Sequence, residues 1–537
     1  MFTEPERAAL APYFTDLDGP VFALTNLPET VKGALFARYS RSPKSLRRLF
    51  LDEFNDRGEA GQAADTTEVG VARAARLYEK VFNEYGDDSV AQLGGVHLAV
   101  EDASNLLTKV LERGRLMAYL EQSTRYIPYT ERRGDGWRYV VPAELDGHAL
   151  RPRVVASMNR AFETYAGAID TMRAYYEQRV PKAATDSDAV YRSAIRAKAL
   201  DTLRGLLPAA TQSNVGIYGT GQAYETLLLR MRAHPLQEVR DTADAMLREL
   251  RKVIPAFLTR VDQPERGGRW TQYLADTRAR MLDLAARLTA DAPGTRPDEV
   301  TLTDFDPDGE TKIVAAALYA SSALADAEAM ALARRLPAAD RAEVLRAYLG
   351  DRTNRRHRPG RAFERTSYRF DILTDYGAFR DLQRHRLLSI EWQPLSTRHG
   401  YAEPEAVVEA GAGDAWRAVM DDAAEVSDAL IDAGLPHVAQ YVVPMAYRIR
   451  FVMDMNAREA MHVIELRTAP AGHPAYRRVC QQMHRLIGSV AGHHAIAAAM
   501  QFADHSAVEL ERLQEERRLE IRRQAQGPRP QASGRAR

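Results

Sequence analysis

The sequence predicts an α+β fold, rich in helix and built as two homologous domains. Three observations carry this. Val239, Ala243, Met246, Leu250 and Val253 recur at steps of three and four, as do Val479, Met483, Ile487 and Val490, which is the spacing of an apolar helix face. Tyr368, Phe370 and Ile372 alternate with Arg369 and Asp371, and Tyr447, Ile449 and Phe451 alternate with Arg448 and Arg450, which is the period of a half-buried strand. Landmarks also repeat. Arg113-Gly114-Arg115 and Ser123-Thr124-Arg125 return as Arg384-His385-Arg386 and Ser396-Thr397-Arg398, at offsets of 271 and 273. Leu207-Pro208 and Leu229-Arg230 return as Val443-Pro444 and Leu466-Arg467, at offsets of 236 and 237.

These elements order the chain. A first domain spans about 1–265 and a second about 295–510. Between them, 266–294 reads as a linker. Turn formers gather at Gln263–Gly268 and Asp291–Pro297, around one helical piece. Glu509–Arg523 is a densely charged helix candidate within a tail, 511–537. From Gln524 onward the tail is rich in Pro, Gly, Ser and Arg and is expected to be disordered.

Composition narrows the function. Of 537 residues, 73 are basic and 73 acidic, so the formal net charge is +0. A basic chain built for non-specific nucleic-acid binding is excluded. Eight of the basic residues are lysine. Arginine suits phosphate recognition, but a GC-rich genome explains the excess without any ligand. One cysteine, Cys480, rules out an intrachain disulfide and CxxC zinc sites. It falls on the apolar face of a helical stretch and reads as a buried structural thiol. The longest apolar run, Ile313–Ala325, falls short of the ~20 residues of a membrane helix. The N-terminus has no secretory pattern. A soluble, cytoplasmic protein is expected, with neither membrane nor nucleic acid as partner.

Several clusters suggest chemistry. Glu121-Gln122-Ser123-Thr124-Arg125-Tyr126 sets a carboxylate, a hydroxyl and a guanidinium close together. It reads either as an oxyanion-binding loop or as a surface turn with an intrahelical Glu–Arg pair. Arg384-His385-Arg386 suits a diphosphate or an electron-rich ring, or is a solvated basic face. Asn456, Arg458, His462 and Arg467 have helical spacing and could line one helix edge facing a ligand. Alternatively His462 is a hydrogen-bonded residue at a packing face. The adjacent His493 and His494 diverge from a helix and make a poor metal pair. No GxGxxG, Walker loop, HExxH or GxSxG occurs. No metal site is expected.

Together these residues resemble the flavin-dependent thymidylate synthases. That family carries Arg-His-Arg, seven residues, then Ser-x-Arg within Glu-x-Ser-x-Arg-Tyr. The first half keeps this spacing, with Gly114 in place of the histidine. Gly86-Asp87-Asp88-Ser89-Val90 sits where the family has Gly-His-x-Ser-Val, with Asp87 in place of its histidine. Leu203-Arg204-Gly205-Leu206-Leu207-Pro208 resembles Ala-Arg-x-x-Leu-Pro. Leu229-Arg230, with His234 and Gln237-Glu238-Val239-Arg240, resembles the Leu-Arg…Ala-Gln-x-Glu-Ile-Arg segment. In the second half Arg384-His385-Arg386 is intact, Asn456-Ala457-Arg458, His462 and Leu466-Arg467 match, and the loop to Ser396 is two residues longer. Gln440 stands where an arginine is expected.

The resemblance implies, in each domain, a small antiparallel sheet packed by helices. It implies dUMP binding by Glu121, Ser123, Arg125, Arg204 and Arg230, and FAD binding by Arg384, His385, Arg386, Asn456, Arg458 and His462. Arg230 and Arg467 become the catalytic candidates. The implied reaction is reductive methylation of dUMP to dTMP, with methylenetetrahydrofolate and NADPH as cosubstrates. The flavin does the redox work, so no cysteine nucleophile is needed. Ser123 is expected to bind rather than attack, because no histidine base stands beside it in sequence. Each half lacks much of what the other keeps. Either the halves share the work, and a homodimer imitates the family's tetramer, or the chain is a silent relative that binds nucleotide or flavin as a sensor or partner subunit.

Overall fold

The computed structural model describes residues 2–40, 42–55, 74, 92–134, 136–292, 298–508, 510 and 512–526. The Gly86–Val90 segment of the resemblance and the turn residues 293–297 lie outside them.

The first half runs β1 (Gly95–Ser104), α1 (Asn105–Leu111), β2 (Met117–Glu121), α2 (Arg151–Arg179), α3 (Asp188–Leu203), β3 (Gln212–Thr220), α4 (Gly221–Arg232) and α5 (Gln237–Leu250). Its sheet is antiparallel, in the order β1-β3-β2, with Ser104 opposite Gln212 and Glu121 opposite Val215. After α6 (Arg269–Leu288) the second half adds β4 (Val300–Phe305) and α7 (Gly309–Ala320). It then repeats the pattern as β5 (Ser367–Asp375), α8 (Tyr376–Leu382), β6 (Ser389–Trp392), α9 (Gly413–Asp432), β7 (Arg448–Asn456), α10 (Ala457–Arg467) and α11 (Pro474–Ser489). Its sheet order is β4-β5-β7-β6, again antiparallel. The fold is therefore α+β and helix-rich, and the described residues form these two antiparallel sheets and a two-stranded hairpin of Arg132–Arg133 with Gly136–Trp137.

The repeat is structural as well as sequential. β1 and β5 end at Ser104 and Asp375, 271 residues apart, and each feeds a seven-residue helix. β3 and β7 begin at Gln212 and Arg448, 236 apart. The local causes also repeat. Ser104 and Asp375 both cap the following helix through a side-chain oxygen, as do Thr220 before α4 and Asn456 before α10.

The two halves meet where Pro208 bridges Pro444. Ala209 N donates to Val443 O and Met445 N to Leu207 O, each at 2.9 Å. Since Leu207-Pro208 and Val443-Pro444 are repeat equivalents, a pseudo-two-fold axis passes through this bridge. Around it Leu207 and Val443 are fully buried, and Trp416 of α9 is 1% exposed. Farther out, Tyr441 Oη donates to Glu238 at 2.6 Å, and the same carboxylate accepts from Ser104 Oγ. The halves thus share one continuous apolar core.

The apolar stripes lie inside: Val239, Ala243, Met246 and Leu250 on α5; Val479, Met483 and Ile487 on α11; Tyr368, Phe370 and Ile372 on β5. Two stripe ends differ. Val253 follows the end of α5 and is 45% exposed, and Val490 caps α11 at 49% exposed. Both helices stop before their apolar repeat does. The segment 266–294 is mostly the helix α6, none of whose residues is buried. The charged helix near the end is α12 (Leu513–Gln526), so Gln524–Gln526, expected in the disordered tail, are helical. No helix among the described residues is long and apolar enough to cross a membrane.

Gly205 marks how tightly the seam is packed. A Cβ there would stand 2.6 Å from Trp416 Cη2 and 3.1 Å from Ala446 Cβ. We predict that Gly205→Ala lowers unfolding free energy by about 1–3 kcal/mol in urea melts, and that adding Trp416→Phe recovers part of the loss. An unchanged midpoint would contradict this packing.

Candidate functional site

β2 ends at Glu121, and the loop that follows turns inward against the other half. The buried Glu121 carboxylate accepts from Arg380 Nη2 of α8 at 2.7 Å and from Lys109 Nζ of α1 at 3.2 Å. Arg380 Nη1 also donates to Thr124 Oγ1 at 3.1 Å. Burial works against the charge on Glu121, but Arg380 and Lys109 outweigh it and hold the carboxyl at about 2. Ser123 Oγ accepts from Arg125 N at 3.3 Å, a local turn bond. The Glu121–Arg125 stretch is neither a surface turn nor an intrahelical pair. Thr124 and Arg125 are buried, and Arg125 pairs elsewhere.

That partner is Asp201 on α3, which takes Arg125 Nε and Nη2 in a fork at 2.9 Å each. Arg125 Nη1 donates to Tyr476 Oη of α11 at 3.1 Å. Asp201 also lies 3.5 Å from Arg204 and 3.8 Å from His473. A second acid, Asp381 on α8, is bonded by Arg384 and lies 3.5 Å from Arg204 Nη1 and 3.9 Å from Arg467 Nη1. Arg204 thus stands between the two acids, while its Nη2 is buried with no hydrogen-bond partner among the described residues. Burial disfavours both carboxylates, yet the surrounding guanidinium groups hold each well below the usual carboxylate range.

From the second half, Arg467 Nε donates to His385 Nε2 at 2.9 Å. The ring therefore carries its proton on Nδ1, which faces Glu459 at 3.6 Å. Burial first, then Arg467 and His462, push His385 well below its ordinary value, so it is neutral. Burial likewise brings His462 down to about 4 and Glu459 up to about 7. The His385 and His462 rings meet edge-on with centroids 5.5 Å apart, and Arg358 Nη2 lies 2.9 Å from His462 Nδ1. One ligand atom each from His385, Glu459 and His462 lie within 4.8 Å of one another, but Arg467 and Arg358 already hold the two imidazoles. Asn456 is used as the cap of α10, accepting from Glu459 N at 2.9 Å. Arg458 donates to Pro359 O at 2.8 Å and lies 3.2 Å from Glu364. Arg386 donates to Met117 O across the seam.

Glu121, Ser123, Arg125 and Arg204 of the first half therefore converge with Arg380, Asp381 and Arg384 of the second on a common cavity of about 20 Å³, crowded by their ion pairs. Arg467, 3.9 Å from Asp381, and His385 behind it adjoin this cluster without lining the cavity. Arg204 and Gly377 also line a chamber of about 600 Å³, with Lys198, His473 and Arg478 on its walls.

Arg230 is elsewhere. It lines a separate cavity of about 460 Å³ with Arg113, Arg278 and Gln440. The reason is the pseudo-two-fold axis: Arg230 on α4 and Arg467 on α10 belong to opposite halves, so their equivalent helices carry them to two different inter-half cavities. Two of the four departures belong here, Gly114 next to the lining residue Arg113, and Gln440. A Cβ on Gly114 would meet Tyr119 Oη at 2.5 Å, so the tyrosine holds the space a histidine would need. Gln440 Oε1 accepts from Leu395 N and its Nε2 donates to His437 O, which makes it a loop tie.

Sequence reasoning missed Asp201, Asp381, Arg380, Glu459 and Arg358. Two of them left a signal. Asp201 precedes Arg204, and Asp381 precedes Arg384, by three residues, a helical ion-pair spacing repeated in both halves. The others come from distant segments. Cys480 is fully buried, its thiol pushed up to about 12 by burial, consistent with a packing role.

Comparison with known proteins follows the same geography. The family model described as thymidylate synthase complementing protein matches residues 32–256 and 301–491. The chain is 38% identical over 523 residues to a UPF0159 protein of Chlamydia muridarum, covering 96% of this chain and 98% of that one. It is 25% identical over 197 residues to the flavin-dependent thymidylate synthase of Clostridium tetani, covering 35% of this chain and 74% of that one. Among solved structures, a UMP/dUMP methylase from Streptomyces cacaoi bound with 5-Br dUMP matches at 23% identity with a TM-score of 0.29. That match covers 38% of this chain and 97% of that one.

The buried pairing of Glu121 has a pH signature. Its folded value lies below its unfolded one, so its stabilisation is complete above pH 4.5 and is lost as pH falls through about 2. In urea melts across that window, we predict that the wild type loses about 3 kcal/mol more than Glu121→Gln. Parallel pH profiles would contradict the assignment.

Proposed function

The chain belongs to the thymidylate synthase complementing protein family, and from that premise we propose that it is a flavin-dependent thymidylate synthase with one composite site shared by its two halves. It converts dUMP to dTMP, with methylenetetrahydrofolate as carbon donor and NADPH as reductant. It works in the cytoplasm, as a homodimer whose four halves imitate the family's tetramer. The observation that supports this reading best is the convergence on Asp381, where Arg204 of the first half meets Arg384 and Arg467 of the second.

In this reading Arg125 and Arg204 hold the nucleotide phosphate, exchanging their bonds to Asp201 and Asp381 for phosphate oxygens. The unpartnered Nη2 of Arg204 is a donor ready for that role. Glu121 fixes the loop through Arg380, and Ser123 contributes its hydroxyl to binding. Arg467, anchored by Nε on His385, keeps its other N–H groups for negative charge developing on the uracil ring.

Residues fitting FAD surround His462. Arg355, Arg358 and Arg467 all bear on its ring, and the nearby Glu459 is held close to neutrality, so the donor set carries the positive excess a diphosphate needs. Arg384, His385, Arg458 and His462 would hold the cofactor, with Asn456 and Arg386 shaping the backbone around it. When bound, FAD supplies the hydride chemistry. Arg230, the other catalytic candidate, takes no part in this site.

A second reading, a silent nucleotide- or flavin-binding relative, is favoured by one observation: the common cavity is about 20 Å³ and its guanidinium groups are matched by internal acids. Assay of dTMP formation by the purified chain with FAD, NADPH and methylenetetrahydrofolate separates the two. Turnover is expected, and its absence despite bound dUMP and FAD would favour the silent relative. Arg125→Lys should weaken dUMP binding by tenfold or more and spare flavin. His385→Ala should do the reverse. If both variants left both ligands unaffected, the shared site would be wrong.

A further inference from the structure

The helix α6 joins the two halves, and the matched segments 32–256 and 301–491 leave it between them, so its role is not inherited with the repeat. With 20 residues it is about 30 Å long. Its first turns lie on the body, where Leu274 and Arg278 line the cavity of Arg230, and Arg278 donates to Ala233 O at 2.5 Å. From Ala279 to Leu288 every residue is exposed. A surface helix normally turns its apolar stripe toward a core. On α6 the stripe faces solvent among the described residues, with Leu288 at its end 67% exposed.

That stripe has the spacing of a helix-to-helix seam. Trp270, Leu274, Thr277, Met281, Leu284 and Leu288 follow one another at steps of 4, 3, 4, 3 and 4. Gln272, Asp276, Asp283 and Arg287 take the opposite side. Steps of 4, 3, 4, 3 and 4 read the same in both directions. An antiparallel copy of α6 therefore meets it in full register, with Trp270 opposite Leu288, Leu274 opposite Leu284, and Thr277 opposite Met281. A two-fold axis asks for this self-complementarity. On the flank Tyr273 meets Arg287, a cation–π pairing. Arg280 meets its own copy beside the axis, and Asp276 and Asp283, one helical turn to either side, offset that repulsion. The stripe leaves roughly 500 Å² of apolar surface in water, near the largest patch a monomer exposes. Two stripes covering each other would remove about 1,000 Å², the area a specific interface needs.

We propose that α6 is a self-association surface, through which two copies of this chain pair as antiparallel helices. The proposal deepens the homodimer of the functional reading by naming the face that joins the copies, and it rests on that oligomeric state, not on turnover. Because α6 is the junction between the halves, one α6 pair gathers four halves around a single axis.

Sedimentation equilibrium of the full-length chain tests this, beside the variant Met281→Glu/Leu284→Glu/Leu288→Glu. All three side chains are exposed, so the substitutions spare the core and the melting temperature should not fall. The wild type is expected to be a dimer, and the triple variant to dissociate at least about a hundredfold more readily. A monomeric wild type would overturn the pairing together with the homodimer. A dimer that the triple variant leaves intact would overturn the pairing and leave the homodimer standing. Cysteine cross-linking reads the register, since the native Cys480 is fully buried. Trp270→Cys/Leu288→Cys should form an intermolecular disulfide on oxidation. Leu288→Cys alone should not, because in the antiparallel pair the two copies of that residue lie about 27 Å apart. Cross-linking by Leu288→Cys alone would overturn the antiparallel register.

Discussion

Everything in this molecule depends on charge that is buried and must be matched. Glu121, Asp201 and Asp381 lie inside the protein with Arg380, Arg125, Arg204, Arg384 and Arg467 around them. Isolated, any one of these charges would cost several kcal/mol. Paired, they constrain geometry, because Arg380 of the second half satisfies Glu121 of the first, and Arg204 of the first lies beside Asp381 of the second. The halves cannot slide past one another without stranding charge. The Pro208–Pro444 bridge and the core around Trp416 bring the halves together, and the ion network sets their register.

The same requirement explains why the two inter-half cavities differ. In one, motif residues from both halves converge and acids fill the gaps. In the other, Tyr119 packs at Gly114, Gln440 ties a loop, Glu391 is bonded by Arg113, and Arg230 and Arg278 have no carboxylate partner among the described residues. Duplication within one chain permits this divergence, since each half can change without changing its copy. The result is one charge-balanced cavity and one with an excess of positive charge.

Much of this was legible in the sequence, and the reasons are local. Offsets of 271 and 236 between landmarks carry over to strands and helices, because capping and periodicity are short-range properties. The alternation at Tyr368–Ile372 is a strand for the same reason. The ends of α5 and α11 were less legible, since an apolar stripe continues past the last hydrogen-bonded turn at Val253 and Val490. The site was legible as residue types, without their partners. Arg125 looks toward Glu121 in sequence but bonds Asp201 and Tyr476 in space. Arg230 and Arg467 look equivalent in sequence, and the pseudo-two-fold relation between the halves sends them to different cavities.

The central claim is that one chain joins nucleotide-binding residues of its first half to flavin-binding residues of its second. The absorbance spectrum of the purified, FAD-supplied chain, recorded before and after adding dUMP, tests it most directly. The account predicts a bound-flavin spectrum that dUMP perturbs, and a perturbation that Arg125→Lys weakens without releasing flavin. A chain that takes up no flavin, or one whose flavin bands do not respond to bound dUMP, would contradict it.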